Sequence, residues 1–145
     1  MATVRTLLEK KNAPVAQVGK AQSVLEAARM MKDRHIGCLV VTEEDRVIGI
    51  FSERDILMRV VAEGREPART TVGEIMTSPV TCCHPDTTLE ECIAVITEKR
   101  HRHLPVVEDG RLCGIISSGD LLAQQVRNHE TTITYLQEYL HGGHR

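Results

Sequence analysis

The chain has 145 residues, of which 41% are hydrophobic and 26% charged, and its formal net charge is −2. This length suits one domain or two small units with a shared core, and the charge argues against a general nucleic-acid binder, which would be clearly basic. No apolar run approaches the roughly 20 residues of a membrane span, and the N-terminus lacks the apolar core of a signal peptide. Five cysteines, mostly within apolar runs, indicate reduced thiols in a cytoplasmic protein.

An internal repeat is the main feature of the sequence. Residues 14–56 align without a gap on residues 79–121, and Asp55 then falls on Asp120. Two copies are too few for a solenoid, so we expect them to pack on each other as a pseudo-twofold pair.

Each copy predicts the same order of elements, β-α-β-β-α. A helix with an apolar stripe begins after Ser23 in the first copy and after Thr88 in the second, and both residues are natural N-caps. Two short apolar runs joined by a charged turn, at 38–51 and 104–116, then predict a β-hairpin. A second helix follows each hairpin.

The predicted organisation has three parts. We expect a first unit at 1–66, a second unit at 67–127, and a C-terminal amphipathic helix and tail at 128–145. The helical pattern covers about 121–141, and its apolar stripe consists of Val126, Ile133, Leu136 and Leu140. Such a stripe needs a surface to bury against.

The pattern Gly-h-h-Ser-x-x-Asp (h, hydrophobic) occurs in both copies, from Gly49 to Asp55 and from Gly114 to Asp120. Its simple interpretation is a capping box, in which the serine caps a helix and the carboxylate reaches back to the cap. Its functional interpretation is a ligand site. A helix N-terminus attracts phosphate, a carboxylate accepts hydrogen bonds from ribose hydroxyls, and glycine lets a ligand approach closely. These features favour a nucleotide.

The two copies resemble cystathionine-β-synthase (CBS) motifs, and the chain resembles a stand-alone CBS-pair protein, or Bateman module, over residues 14–128. The matching segments are 72–77 with Pro79-Val80, 102–107 and the two Ser-x-x-Asp motifs. The resemblance implies an α+β fold of two motifs packed through their sheets and a regulatory, non-catalytic function. It also implies clefts that bind AMP, ADP or ATP, with NAD(H) or S-adenosylmethionine as further candidates. The resemblance further implies that the protein requires no cofactor, forms a homodimer and acts on an unknown client protein.

Carried over by position, the resemblance implies two clefts with different charge. The first cleft comprises Ser52, Arg54, Asp55, Val80, Thr81, Arg102 and His103. The second cleft comprises Val15, Ala16, Ile36, Gly37, Cys38, Ser117 and Asp120. Because Arg54, Arg102 and His103 have no basic counterparts in the other copy, we expect the cleft around Asp55 to bind a phosphorylated ligand more tightly.

Other classes of function find weaker signals. Cys82-Cys83-His84 suggests a metal, but neighbours on a strand point to opposite faces and a zinc site needs about four ligands, so no metal site is predicted. A Cys/His nucleophilic pair lacks an orienting group, and no Walker loop or Rossmann fingerprint occurs, so we predict no enzymatic activity. The alternative is an interaction or scaffold protein with unoccupied or metal-binding clefts.

Overall fold

The repeat folds as two α+β units, and the computed structural model describes residues 2–127. Helix α1 (Val4–Lys11) precedes the first unit. That unit consists, in chain order, of β1 (Gln17–Val18), α2 (Val24–Arg34), β2 (Cys38–Glu43), β3 (Arg46–Ser52) and the short helix α3 (Glu53–Asp55). Strand β1 is parallel to β2, and β2 is antiparallel to β3. After α3 the chain continues as a π-type helical turn, Ile56–Val61.

The second unit has the same order of elements but a weaker first strand. Helix α4 (Val72–Ile75) precedes it, and the unit contains α5 (Leu89–Lys99), β4 (His103–Glu108), β5 (Arg111–Ser117) and α6 (Ser118–Arg127). The strand predicted before α5 is reduced to one bridge, in which the Cys83 N–H donates to the Pro105 carbonyl over 2.9 Å. Prolines at 79 and 85 flank this bridge. Since proline has no N–H to donate, they limit further pairing.

The predicted helix starts are confirmed. The Ser23 hydroxyl accepts from the Glu26 N–H and the Thr88 hydroxyl from the Glu91 N–H, both over 3.1 Å. The first helix then buries Val24, as its apolar spacing requires.

The helices that precede the two units are exchanged between their cores. Val4 and Leu7 of α1 are buried in the core of the second unit, whereas Val72 and Ile75 of α4 are buried in the core of the first. Each core is therefore completed by a helix that lies before the other unit in the sequence. The sequence analysis did not predict α1 or this exchange.

The two units pack on each other through β3 and β5 and through their hairpin turns. The Leu112 N–H donates to the Asp45 carbonyl over 3.1 Å, and Arg111 forms an ion pair with the Asp45 side chain over 3.6 Å. The predicted α+β fold of two units joined through their sheets is thus confirmed.

Two further predictions concern the C-terminal helix and membrane-spanning segments. Helix α6 is described as far as Arg127, and the C-terminal stripe at Ile133, Leu136 and Leu140 lies outside the described residues. Within residues 2–127, no helix has the length and apolar character needed to cross a bilayer.

Candidate ligand-binding site

A cavity of about 950 Å³ lies between the two units. Six of the seven residues predicted for the second cleft line it: Val15, Ala16, Ile36, Gly37, Cys38 and Ser117. The seventh, Asp120, hydrogen-bonds to Ser117 at the cavity wall. The structure therefore brings together the second set of predicted residues, contributed by both units.

The turn from Ser117 to Asp120 is a capping box with one carboxylate oxygen left open. Asp120 Oδ2 accepts from the Ser117 N–H over 2.9 Å, and the Asp120 N–H donates to the Ser117 hydroxyl over 3.0 Å. Oδ2 also accepts from Lys11 Nζ over 2.8 Å. The Asp120 side chain is 25% exposed. Its Oδ1 has no hydrogen-bond donor among residues 2–127 and can accept one from a ligand.

Lys11 and Ser117 also determine the charge of Asp120. Burial would raise the pKa of this carboxyl, but hydrogen bonds from Lys11 and Ser117 and the charge of Lys11 outweigh burial. The pKa of Asp120 therefore lies below its ordinary value, and the group is an anionic acceptor at neutral pH.

The equivalent turn from Ser52 to Asp55 is a capping box whose carboxylate is fully used. Asp55 Oδ2 accepts from the Ser52 N–H over 2.9 Å and from the Ser52 hydroxyl over 3.2 Å. Its Oδ1 accepts from the Thr77 hydroxyl over 3.1 Å, and Arg59 Nε lies 3.9 Å away. With an exposed side-chain fraction of 8%, Asp55 is bound within the protein rather than presented to a ligand.

The segment after α4 covers the Asp55 turn. Thr77 and Ile50 exchange two backbone hydrogen bonds, of 2.8 and 3.0 Å, so this segment pairs with the edge of β3. Gly49 allows the close approach, since a Cβ at this position would overlap the Met76 sulfur. At the equivalent edge of β5, the Lys11 ammonium donates to the Ile115 carbonyl over 3.1 Å instead. The cavity lies on that side.

The other residues predicted for the first cleft differ in how exposed they are. Arg54 and Arg102 are exposed, and Val80 and Thr81 are partly buried. His103, which the sequence assigned to the first cleft, lines the large cavity.

His103 lies between the two Ser-x-x-Asp turns. Burial lowers its pKa, and the charge of Lys11 lowers it further, while the carboxylates of Asp120 and Glu53 oppose this shift. The imidazole is consequently neutral at pH 7. In this form it can exchange a hydrogen bond with a ligand, and its role in phosphate binding stays a prediction.

Two cations that line the cavity were not predicted from the sequence. Lys11 is the last residue of α1, and Arg34 is the last residue of α2; both line the cavity. A signal for α1 is present in the sequence. Thr3-Val4 and Leu7-Leu8 match Thr71-Val72 and Ile75-Met76 in type and spacing. The offset is three residues larger than in the main repeat, so an ungapped alignment stops at residue 14.

The segment Cys82-Cys83-His84 does not converge on a common point. Cys82 is exposed, while Cys83 packs against the core of the second unit, where a hydrogen bond with Cys92 and burial raise its pKa. His84 Nδ1 accepts from the Asp86 N–H over 3.0 Å. Within the described part of the chain, no group of three His, Cys, Asp or Glu residues could hold a metal ion.

Two curated relatives are similar in sequence to most of this chain. It is 34% identical over 114 residues to the CBS domain-containing protein YhcV of Bacillus subtilis, a match that covers 79% of this chain and 81% of YhcV. It is 32% identical over 127 residues to the mitochondrial CBS domain-containing protein CBSX3 of Arabidopsis thaliana, covering 84% of this chain. The chain spans 62% of the length of CBSX3.

Solved structures of similar proteins have the same fold. The CBS domain NE2398 has a TM-score of 0.82 at 38% identity, covering 86% of this chain and 97% of that structure. The CBS domain pair of MJ0100, solved with 5′-methylthioadenosine and S-adenosyl-L-methionine, has a TM-score of 0.79 at 25% identity and covers 88% and 98%. Hypoxic Response Protein I, solved with two coordinated zinc ions, has a TM-score of 0.74 at 30% identity and covers 86% and 99%.

The family assignment rests on both halves of the chain. The family model of the CBS domain matches residues 4–62 and again residues 72–127. The first match includes α1 and the second includes α4, so each extends over the helix that the units exchange. The chain therefore belongs to the CBS-domain family and carries a pair of CBS repeats.

Proposed function

We propose that this CBS pair is a non-catalytic regulatory module that binds an adenine nucleotide in the cavity beside Ser117 and Asp120. One observation carries the proposal: both repeats contribute walls to a cavity of about 950 Å³ that is lined by cations and apolar surface, and the carboxylate of Asp120 is bonded to two of the lining residues, Lys11 and Ser117. Small-molecule sites typically measure roughly 300–1,000 Å³ and combine apolar walls with a few polar groups. A ligand bound there contacts both repeats, so its binding can change their position relative to each other.

The cavity wall offers each part of adenosine a partner. The partly exposed Asp120 can accept hydrogen bonds from ribose hydroxyls. Val15, Ala16 and Ile36, all partly buried, offer apolar surface to the base. The adenosine ligands held by the similar pair of MJ0100 support this assignment.

The geometry favours a different ranking of the clefts from the sequence-based one. The sequence ranks the cleft at Asp55 first because of Arg54, Arg102 and His103. In the structure, Asp55 is occupied by Ser52 and Thr77. We therefore propose that the cavity at Asp120 is the preferred site. Lys11 and Arg34 supply the positive charge there.

The thiols support the non-catalytic part of the proposal. Burial raises the pKa of Cys38, the thiol most enclosed in the cavity wall, to about 12. Since a thiolate is the nucleophilic form, Cys38 is inert at neutral pH. Cys83 is also kept protonated, by its hydrogen bond with Cys92 and by burial.

A thermal-shift panel tests this function on metal-free protein, with AMP, ADP, ATP, NADH and S-adenosylmethionine as probes. A ligand at 100 times its Kd adds about 2.7 kcal/mol, which should raise the Tm by roughly 5–10 °C for a chain of this size. Chromatography of the incubated nucleotide should show no product. An unchanged Tm with every probe would refute the proposal in favour of an interaction protein with unoccupied clefts. A shift with Zn²⁺ alone would favour the metal-binding alternative.

We also propose that the module forms a homodimer through the surface that follows the two Ser-x-x-Asp turns. Leu57 and Leu122 occupy equivalent positions in the two repeats and are 58% and 60% exposed; Met58 and Val61 extend the surface around Leu57. A twofold interface pairs the same patch on both subunits, and a patch repeated within one chain suits such pairing. Light scattering should give a dimer for the wild type and a monomer for Leu57→Glu. A monomeric wild type would refute the dimer.

A further inference from the structure

The side chain of Lys11 is delivered to the cavity by a firmly held helix. Val4 and Leu7 anchor α1 in the core of the second unit, and the Val4 N–H donates to the Thr87 carbonyl over 2.9 Å. The helix ends in a left-handed cap at Asn12, whose φ is 40° and whose N–H donates to the Leu8 carbonyl. Lys11 is the last residue before this cap, so its backbone position is fixed relative to Asp120.

Lys11 occupies one of the two Asp120 oxygens that ribose hydroxyls can use. A carboxylate oxygen has two lone pairs, and Asp120 Oδ2 already accepts from the Ser117 N–H and from Lys11 Nζ. A ligand whose two ribose hydroxyls bind both oxygens of Asp120 must therefore displace the ammonium of Lys11. The Ser117 hydrogen bond belongs to the helix cap and can stay in place.

The displaced ammonium needs a new acceptor. The Ile115 carbonyl, 3.1 Å from Nζ, is neutral and offers no compensating charge. A ligand phosphate does, because hydrogen bonds between ions are stronger than those between neutral groups. Adenosine offers no such group, and in S-adenosylmethionine a sulfonium cation takes the place of the phosphate on the 5′ carbon. The equivalent donor at the other turn is the uncharged Thr77 hydroxyl, which cannot select phosphate by charge.

We propose that Lys11 is the specificity-determining residue of this cavity: it pairs with Asp120 when the site is empty and transfers to the ligand phosphate when a nucleotide binds. The inference rests on the proposed function, since it presupposes that adenosine ligands occupy the cavity. It assigns to Lys11 the larger part of the preference for phosphorylated over unphosphorylated adenosine, because Lys11 is the cavity cation that pairs with Asp120.

Calorimetric titrations of AMP and adenosine into the wild type and Lys11→Met test this inference. The wild type should bind AMP at least about tenfold more tightly than adenosine, a ratio that corresponds to about 1.4 kcal/mol. In Lys11→Met the ratio should fall at least about threefold, because AMP loses one of its two cationic partners while adenosine no longer displaces a salt bridge. Lys10→Met removes a neighbouring exposed lysine from the same helix and should keep the wild-type ratio.

Each outcome decides a different point. If the wild type binds neither AMP nor adenosine, the proposed function fails. If it binds both but Lys11→Met keeps the wild-type ratio, only the role of Lys11 is refuted. Lys11→Arg retains the charge and should keep most of the preference for AMP; should Lys11→Met fail to fold, the same test uses Lys11→Gln, with circular dichroism to verify folding.

Discussion

The two Ser-x-x-Asp turns have the same capping geometry, yet they differ in what covers them. Asp55, 8% exposed, is closed by the Thr77 hydroxyl and by the strand-like segment that follows α4. Asp120, 25% exposed, lies beside an open cavity, and among residues 2–127 it accepts hydrogen bonds from Ser117 and from Lys11 of α1. A repeated cap can thus be enclosed within the fold in one copy and keep an accessible carboxylate oxygen in the other. The difference lies in the segment that contacts each turn: the residues after α4 cover Asp55, whereas the end of α1 contacts Asp120.

The largest expected contrast in stability comes from truncating the two carboxylates. Asp55→Ala should cost about 2–3 kcal/mol of unfolding free energy, because it removes a helix cap at a buried carboxylate and leaves the partly buried Thr77 hydroxyl without its acceptor. Asp120→Ala should cost about 1 kcal/mol, the typical value of a cap at a more exposed position. Urea unfolding measures both, and equal losses would show that the two turns are equally important for the fold.

A second contrast comes from the equivalent glycines. A Cβ on Gly49 would meet both the Met76 side chain and the Thr77 carbonyl oxygen, the latter at 3.2 Å. Because backbone cannot yield easily, Gly49→Ala should cost about 1–3 kcal/mol. The atoms nearest to a Cβ on Gly114 all belong to the Leu8 side chain, the first at 2.6 Å. Because a side chain can move more easily than backbone, Gly114→Ala should cost less, roughly 1 kcal/mol or below. A larger loss of unfolding free energy for Gly114→Ala than for Gly49→Ala in the same assay would contradict the conclusion that the Asp120 turn is less tightly covered.

The smallest effect is the pH dependence of the Lys11–Asp120 pair. The folded-state pKa of Asp120 is lowered, so its stabilising contribution is present above the unfolded pKa and is lost as the pH falls through the folded one. Lys11→Met should therefore be less stable than the wild type by up to about 1 kcal/mol at pH 7. The difference should begin to shrink as the pH falls towards the unfolded pKa of about 4, and it should vanish only once the pH is below the lowered folded-state pKa.

Thermal unfolding between pH 7 and pH 2.5 measures this difference, with Lys10→Met as the matched control. Lys10→Met should follow the wild type at every pH. A Lys11→Met deficit that stays constant over this range would show that the pair with Asp120 does not cause it.

Much of the fold was predictable because its signals are local. Periodic apolar residues and the caps Ser23 and Thr88 determine where α2 and α5 begin, and these positions are short-range properties of the chain. The capping boxes at Ser52 and Ser117 likewise form between residues three apart. Six residues assigned to the second cleft come together because equivalent residues of a repeat occupy equivalent places.

The rest of the site depends on contacts between distant residues. Lys11 and Asp120 are far apart in the sequence, and they meet only because α1 packs on the core of the other unit. The shorter α4 lacks an equivalent of Lys11. A comparison of charges within residues 14–56 and 79–121 therefore could not include Lys11, which precedes both copies and lines the cavity.

The most direct test of the central claim is a calorimetric titration of AMP into Asp120→Ala and Asp55→Ala, at a temperature where circular dichroism shows both to be folded. If the ligand lies in the cavity beside Asp120, Asp120→Ala should weaken binding by at least about tenfold, or about 1.4 kcal/mol. Asp55→Ala should stay within about twofold of the wild type, since this carboxylate supports the fold. A tenfold loss in Asp55→Ala with wild-type affinity in Asp120→Ala would contradict the account and restore the ranking expected from the sequence.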